Sequence, residues 1–238
     1  MAADPARAIA LLDGRFMLDH PVDAAIEIER HPAESIAATL SAQSAQALVP
    51  VWRRLLPETG ARLLAVLPDA TADSLLAELP PTEAVQLVGQ MSAEERARRL
   101  DRLDPAVRRE LEELMTYPEG SAGRLMDLRV DVYRGTMTVA DTLDVLRQKR
   151  MKTARSLYLV DAGRRLIGRV FLQDLAIASP QQSLSDLMLP IAASVEPTAS
   201  QEEVTAILNK ERLIDLPVVN YDGVLMGVVT HASLIQAV

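Results

Sequence analysis

The stretch LYLVDAGRRLIGRVFLQDL, residues 157–175, is typical of two β-strands joined by a tight turn and followed by the start of a helix. Apolar runs lie on both sides of the turn residues Asp161, Ala162 and Gly163, which is the pattern of an antiparallel hairpin. A lone hairpin is only marginally stable in water, because one face of its sheet stays uncovered. The hairpin therefore predicts a partner elsewhere in the chain.

A second copy of the same pattern supplies that partner. The stretch LPVVNYDGVLMGVVTHASL, residues 216–234, aligns with the first without a gap at an offset of 59 positions. Leu157 pairs with Leu216, Gly168 with Gly227, and Leu175 with Leu234. Upstream, RLM at residues 124–126 matches DLM at residues 186–188 at an offset of 62. Each copy is therefore predicted to be a strand, an amphipathic helix, a hairpin and a closing helix, and the two copies bury their sheets against each other.

The first half of the chain, up to about residue 115, has helical periodicity instead. Short amphipathic segments recur there, namely PETGARLLAVLPD, TADSLLAELPP, TEAVQLVGQMS and AEERARRLDRLDP. Each apolar stripe is too narrow to stand alone, so the segments are expected to stack as helical hairpins. The basic run RARRLDRL has acidic neighbours, such as Glu95 four residues before Arg99. It is therefore interpreted as a salt-bridged helix face rather than a phosphate groove.

Composition limits the function classes. The formal net charge of −8 argues against nucleic-acid binding, which needs a basic face. The chain has no cysteine, so a disulfide framework and a thiolate metal site are excluded. No apolar run approaches the roughly 20 residues that cross a bilayer, and the chain as given is expected to be soluble. The sequence has no nucleophile elbow, P-loop or dinucleotide fingerprint, so no catalysis is expected.

The repeat resembles the cystathionine-β-synthase (CBS) domain pair, a regulatory module. Helical hairpins that lead through YPEGSAGRLM, residues 117–126, into such a pair are similar to the cytosolic region of the MgtE family of magnesium transporters. The resemblance implies an α superhelical hairpin domain followed by an α+β tandem CBS-domain pair. The implied boundaries are a helical N domain at 1–116, a linker at 117–126, and CBS repeats at 127–180 and 181–238.

The same resemblance implies a low-affinity regulatory response to Mg²⁺. In the family, carboxylates on the N domain and on the CBS pair face each other, and Mg²⁺ draws the two together. The candidate ligands here are Glu202, Glu203, Asp69 and Asp73. The alternative for Glu202 and Glu203 is an acidic first helical turn that the helix dipole favours. The closing segment THASLIQ, residues 230–236, lacks the acids that the family commonly has there.

Other CBS pairs bind adenine nucleotides through a hydroxyl three residues after the strand glycine and an acid three residues further on. The first copy has Phe171 and Asp174 at these positions, and the second has Thr230 and Ser233. Asp174 and Thr230 are therefore the nucleotide-binding candidates. Asp174 could equally cap a helix, which is the commoner role of such an aspartate.

The resemblance predicts the gating region of an MgtE-like magnesium transporter on the cytoplasmic face of the cell membrane. A homodimer through the CBS repeats and a transmembrane pore domain are the implied partners, and nucleic acid is not one. We expect the chain to be a piece of a transporter rather than a natural protein without a pore, because its last helix has no C-cap signal. The alternative is a stand-alone protein-interaction module whose CBS pair senses an adenine nucleotide.

Overall fold

The structure, a computed structural model, describes residues 12–149 and 155–235. Contacts between Cα atoms divide the chain into two compact units, Met1–Thr116 and Tyr117–Val238. The first unit is helical and the second combines short helices with small sheets, so the predicted fold class is confirmed. That residues 116, 126 and 180 are the boundaries of separately folding domains stays a prediction.

Short helices joined by tight turns make up the described part of the first unit. They are α1 (Gly14–Asp19), α2 (Pro21–Glu29), α3 (Ala33–Ser41), α4 (Ala45–Trp52), α5 (Pro57–Val66), α6 (Asp69–Glu78), α7 (Pro81–Gly89), α8 (Ala93–Arg102) and α9 (Pro105–Met115). Helix α2 packs on α4, α3 on α5, α4 on α6, α5 on α7, and α7 on α9. Stacking of this kind buries the narrow apolar stripes that the sequence shows.

Arg99 of α8 is a buried charge that ties three helices of the first unit together. Its side chain is 1% exposed, and it donates to Asp69 Oδ1 at 2.8 Å and to the carbonyl of Leu64 at 2.9 Å. The expected pair of Arg99 with Glu95 is therefore wrong, because Arg99 turns into the core. The wider interpretation as a salt-bridged face is confirmed, since Arg102 pairs with Asp73 at 3.0 Å.

The second unit contains two copies of one topology. The first copy has α10 (Ala122–Leu125), β1 (Val132–Tyr133), α11 (Val139–Gln148), β2 (Ser156–Val160), β3 (Leu166–Phe171) and α12 (Leu172–Ile177). The second has a 3₁₀ turn (Leu184–Leu187), α13 (Gln201–Lys210), β4 (Asp215–Val219), β5 (Leu225–Thr230) and α14 (His231–Ile235). None of the helices in the described ranges is long and apolar enough to cross a membrane.

The register of the two hairpins is identical at the offset of the sequence alignment. Ser156 pairs with Phe171 in the first hairpin, and Asp215 pairs with Thr230 in the second. Both ladders shift by one residue at the same place, between Leu159 and Val160 and between Val218 and Val219. The predicted repeat of the hairpins is therefore confirmed, including their β-bulges. The predicted leading strand is present only in the first copy, because the corresponding segment of the second copy makes a single parallel bridge, between Val195 and Val218.

The turns of the two hairpins contact each other. The backbone N–H of Leu166 donates to the carbonyl of Gly223 at 2.9 Å, and that of Leu225 donates to the carbonyl of Arg164 at 3.2 Å. Arg164 and Gly223 are equivalent residues, and both have a left-handed backbone, with φ of 63° and 77°. Glycine adopts this conformation without the steric cost that a Cβ atom brings.

We expect Gly223→Ala to lower the free energy of unfolding of the second unit by about 1 kcal/mol, because alanine is strained at positive φ. An added Cβ at residue 223 meets no atom within 4 Å, so backbone strain is the whole cost. Gly163→Ala, in the other turn, is the control, since Gly163 does not have a left-handed backbone. Urea denaturation followed by circular dichroism measures both variants, and an equal loss in the two would contradict the explanation.

Candidate ligand-binding site

The candidate site lies where the first copy crosses the second. The segment that leads into β1 hydrogen-bonds to β5, with Asp127 N–H donating to Val228 O at 2.9 Å and Val228 N–H to Asp127 O at 3.1 Å. Gly227 permits this approach, because a Cβ there would lie 2.7 Å from the Asp127 carbonyl oxygen. The segment then pairs in parallel with β2 of its own copy. One short stretch therefore joins the sheets of both copies.

A cleft of about 170 Å³ opens beside this crossing. Both copies line it, through Asp127, Arg129, Asp131, Ser156, Tyr158 and Thr230 among others. We call it the Thr230 cleft. Its lining mixes apolar side chains with a hydroxyl and with charges of both signs, which is typical of a site for a small polar ligand.

Thr230 ends strand β5 at the wall of the Thr230 cleft. Its Oγ1 accepts from the backbone N–H of Ser233 at 3.3 Å and lies 3.1 Å from the Ser233 hydroxyl. These contacts hold the hydroxyl at the start of α14. The sequence prediction that Thr230 belongs to a ligand site is consistent with this placement, and its role stays a prediction.

Tyr158 lines the Thr230 cleft and contacts both copies. Its hydroxyl donates to Asp215 Oδ1 of the second copy at 2.6 Å, and its ring packs with Val160, Leu225 and Val228. Burial, followed by the charge of Asp215, raises the pKa of Tyr158 far above its ordinary value, and the positive charge of Arg169 opposes this. The phenol is therefore neutral over the physiological range and acts as a fixed donor.

Charges around the Thr230 cleft largely compensate one another. Asp131 forms an ion pair with Lys149, and Asp127 accepts from the backbone N–H of Arg129 at 2.8 Å. Arg129 supplies a further cation to the lining. The cleft thus has no strong excess of negative charge that would repel an anionic ligand.

Asp174 lies away from the Thr230 cleft, in the first turn of α12. The N-cap of that helix is Phe171, which makes no side-chain hydrogen bond as a cap. The expectation that Asp174 caps the helix is therefore wrong, because the helix begins two residues earlier. Asp174 is half-buried at the position equivalent to Ser233.

The predicted Mg²⁺ ligands fall into two kinds. Asp69 and Asp73 both form ion pairs with the guanidinium groups of Arg99 and Arg102. A Mg²⁺ ion would have to break these charge-assisted hydrogen bonds to bind either carboxylate. The described residues bring together no group of three or more His, Asp or Glu side chains that could hold a metal ion. The two remaining candidates differ in their surroundings.

Glu202 and Glu203 are exposed in the first turn of α13, whose N-cap is Ser200. Hydrogen bonds from its own backbone N–H and from Ser200 keep the pKa of Glu202 below its ordinary value. Both carboxylates therefore suit a loosely held, hydrated Mg²⁺, which needs only one or two such ligands. The placement also agrees with the alternative of an acidic first helical turn.

Sequence reasoning missed Tyr158 and the segment from Asp127 to Asp131. One signal was available: Tyr158 replaces the residue that is Pro217 in the second copy, and a tyrosine in place of a proline breaks the repeat. The lining segment carries no such signal, because it reaches the cleft only through pairing with β5.

Comparison with known proteins supports the division into two parts. The family model described as "MgtE intracellular N domain" matches residues 19–120, and the CBS domain model matches residues 184–238. The magnesium transporter MgtE of Thermus thermophilus is 32% identical over an alignment of 214 residues, and the match covers 78% of this chain and 48% of that protein. The MgtE of Bacillus subtilis is 31% identical over 127 residues, 52% of this chain and 28% of that protein.

A solved structure agrees over the whole length. The cytosolic domain of the Mg²⁺ channel MgtE in complex with ATP superposes with a TM-score of 0.89 at 28% identity, and the match covers 100% of both chains. The chain belongs to the MgtE family. It has the N domain and CBS pair of the MgtE cytosolic region, and it spans about half or less of the length of the curated relatives that it matches.

In this MgtE-family chain, Tyr158→Phe removes the hydrogen bond that the Tyr158 hydroxyl donates to Asp215 of the other copy. We expect the free energy of unfolding at neutral pH to fall by about 1–2 kcal/mol. A tyrosine in the unfolded chain ionises near pH 10, whereas the raised pKa of Tyr158 keeps it neutral in the folded chain. Its contribution is therefore present below about pH 10 and is lost as the pH rises further.

In the Tyr158→Phe variant, the free energy of unfolding should therefore decrease less above about pH 10 than in the wild type. Urea denaturation at several pH values measures it as the difference between the wild type and the variant. An identical pH dependence of unfolding in the two proteins would contradict the assignment.

Proposed function

We propose that this chain is the cytosolic regulatory region of an MgtE-family magnesium transporter, and that its CBS pair binds an adenine nucleotide. The main support is the full-length likeness to an MgtE cytosolic domain that was solved with ATP. The Thr230 cleft adds physical support. It places a hydroxyl and the Arg129 cation beside apolar walls, a combination that suits the phosphate and the base of a nucleotide.

The regulatory signal that we propose is Mg²⁺ itself, bound weakly by Glu202 and Glu203. These carboxylates are exposed, and hydrogen bonds keep the pKa of Glu202 below its ordinary value. Mg²⁺ keeps most of its water shell when it binds to such sites. The response is a binding event and involves no catalysis. A cation that binds only the folded chain stabilises it in proportion to its occupancy.

The assembly that we propose is a homodimer through the CBS repeats, at the cytoplasmic face of the membrane. A transmembrane pore domain of the full-length protein would receive the signal. The MgtE relatives are about twice the length of the matched region or more, which leaves room for such a domain.

The second candidate is a stand-alone interaction module that senses only the nucleotide. The segment THASLIQ, residues 230–236, favours it, because it has no carboxylate to offer a cation. Nucleotide binding without any response to Mg²⁺ would support this alternative.

We expect ATP to bind the wild-type chain and Thr230→Val to weaken the binding about 10-fold or more, because a hydrogen bond to a charged phosphate is lost. Thr205→Val is the control, since the Thr205 hydroxyl donates to the carbonyl of Gln201 within α13 and does not line the Thr230 cleft. Isothermal titration calorimetry measures both variants. Unchanged affinity in Thr230→Val would argue against this cleft as the nucleotide site.

We expect several millimolar Mg²⁺ to slow limited proteolysis of the chain and to raise its melting temperature. The double variant Glu202→Gln and Glu203→Gln should lose most of this response, because an amide binds Mg²⁺ far more weakly than a carboxylate. Glu196→Gln with Glu211→Gln removes the same charge from the same copy and is the control. If the wild type shows no response to Mg²⁺, the sensing role is refuted.

A further inference from the structure

One acid in the lining of the Thr230 cleft is neutralised by a residue outside that lining. Asp131 lies in the wall of the cleft, directly before β1, and its side chain is 30% exposed. Its carboxylate forms an ion pair with Lys149, the C-cap residue of α11. The described residues that line the cleft do not include Lys149. Lys149 therefore acts on a ligand in the cleft through Asp131.

The negative charge of Asp131 acts on the interior of the cleft. Tyr133, two residues further along the chain, lines the same cleft and is buried. Burial, followed by the charge of Asp131, raises the pKa of Tyr133 above its ordinary value. The direction of this effect agrees with a carboxylate that lies beside the lining residues. An anionic group of a ligand bound there would experience the same charge.

The balance of charge in the lining depends on Lys149. The charged residues of the lining are two acids, Asp127 and Asp131, and one cation, Arg129. Taken alone, this lining has one negative charge in excess, which opposes the entry of an anion. The ammonium group of Lys149 removes the excess, because it pairs with Asp131. A single residue at the end of α11 therefore decides the sign of the local charge.

A second ion pair on the same helix differs in its surroundings. Arg147 pairs with Asp144 at 2.7 Å, and the two side chains are 70% and 67% exposed. Neither residue lines the Thr230 cleft. Water and salt screen charges that are exposed in this way, whereas partly buried charges are screened much less. Removal of the Arg147 charge is therefore a matched control for removal of the Lys149 charge.

From these contacts we infer that Lys149 is a positioning residue of the Thr230 cleft, which neutralises Asp131 and thereby lets the cleft accept an anionic ligand. The inference rests on the proposed nucleotide-binding function and adds a residue that controls how binding depends on ligand charge. Loss of the Lys149 charge weakens binding more strongly as the ligand carries more phosphate groups. Loss of the Asp131 charge has the opposite effect.

The test measures the binding of ATP, AMP and uncharged adenosine to the full chain by isothermal titration calorimetry at low ionic strength. We expect Lys149→Met to weaken ATP binding about 5- to 10-fold, AMP binding by a smaller factor, and adenosine binding not at all. Asp131→Asn should strengthen ATP binding by a similar factor. The double variant should bind ATP with nearly the affinity of the wild type, because both charges of the pair are absent.

Arg147→Met is the control and should leave ATP affinity unchanged. Equal weakening by Lys149→Met and Arg147→Met would overturn the inference, since the effect would then belong to the net charge of the chain. Equal weakening of ATP and adenosine binding in Lys149→Met would overturn it too, because a merely structural role does not depend on ligand charge. If the wild type bound none of the three probes, the proposed nucleotide function would be refuted together with the inference. ATP binding that is the same in the wild type, Lys149→Met and Asp131→Asn would refute the inference alone.

Discussion

The apolar contact between the two copies is the constraint on which the second unit depends. Each hairpin has one sheet face that cannot be covered from within its own copy, and the shared core of Tyr158, Val160, Leu225 and Val228 covers it. Removal of this apolar surface from water is the main force that holds the copies together. The polar contacts between copies, including the bond from Tyr158 to Asp215, then fix one relative position of the two.

This constraint also creates the candidate site. Because each copy lends a backbone segment to the other, the Thr230 cleft forms beside the crossing of Asp127 and Val228, and Gly227 allows the close approach. Gly168 allows the equivalent approach of Leu189 to the first hairpin. The side chains differ there, since Arg169 and Phe171 occupy the positions of Val228 and Thr230.

In the first unit, ion pairs between helices have a structural role that the sequence does not reveal. The sequence suggests that Asp69 and Asp73 are unpaired, yet both form ion pairs with Arg99 and Arg102 of α8, and Arg99 is buried. A buried arginine is strongly destabilising if its partner is removed, so these acids are held in place by the fold. The exposed pair Glu202 and Glu203 has no such tie, which is why the proposed response to Mg²⁺ rests on them.

The sequence by itself determined the repeat, its register and the helical nature of the first half. It did so because strand alternation, helix periodicity and turn residues are local properties, and duplication at an offset of 59 needs no structure to be seen. Only the tertiary structure decided which side chains share a cleft and which acids are already paired. Arg169 and Phe171 are two residues apart on one strand, and the tertiary structure places the Arg169 guanidinium 4.8 Å from the centroid of the Phe171 ring. Partners that lie 30 or more residues away, such as Asp69 for Arg99, are set by packing, and no local pattern encodes them.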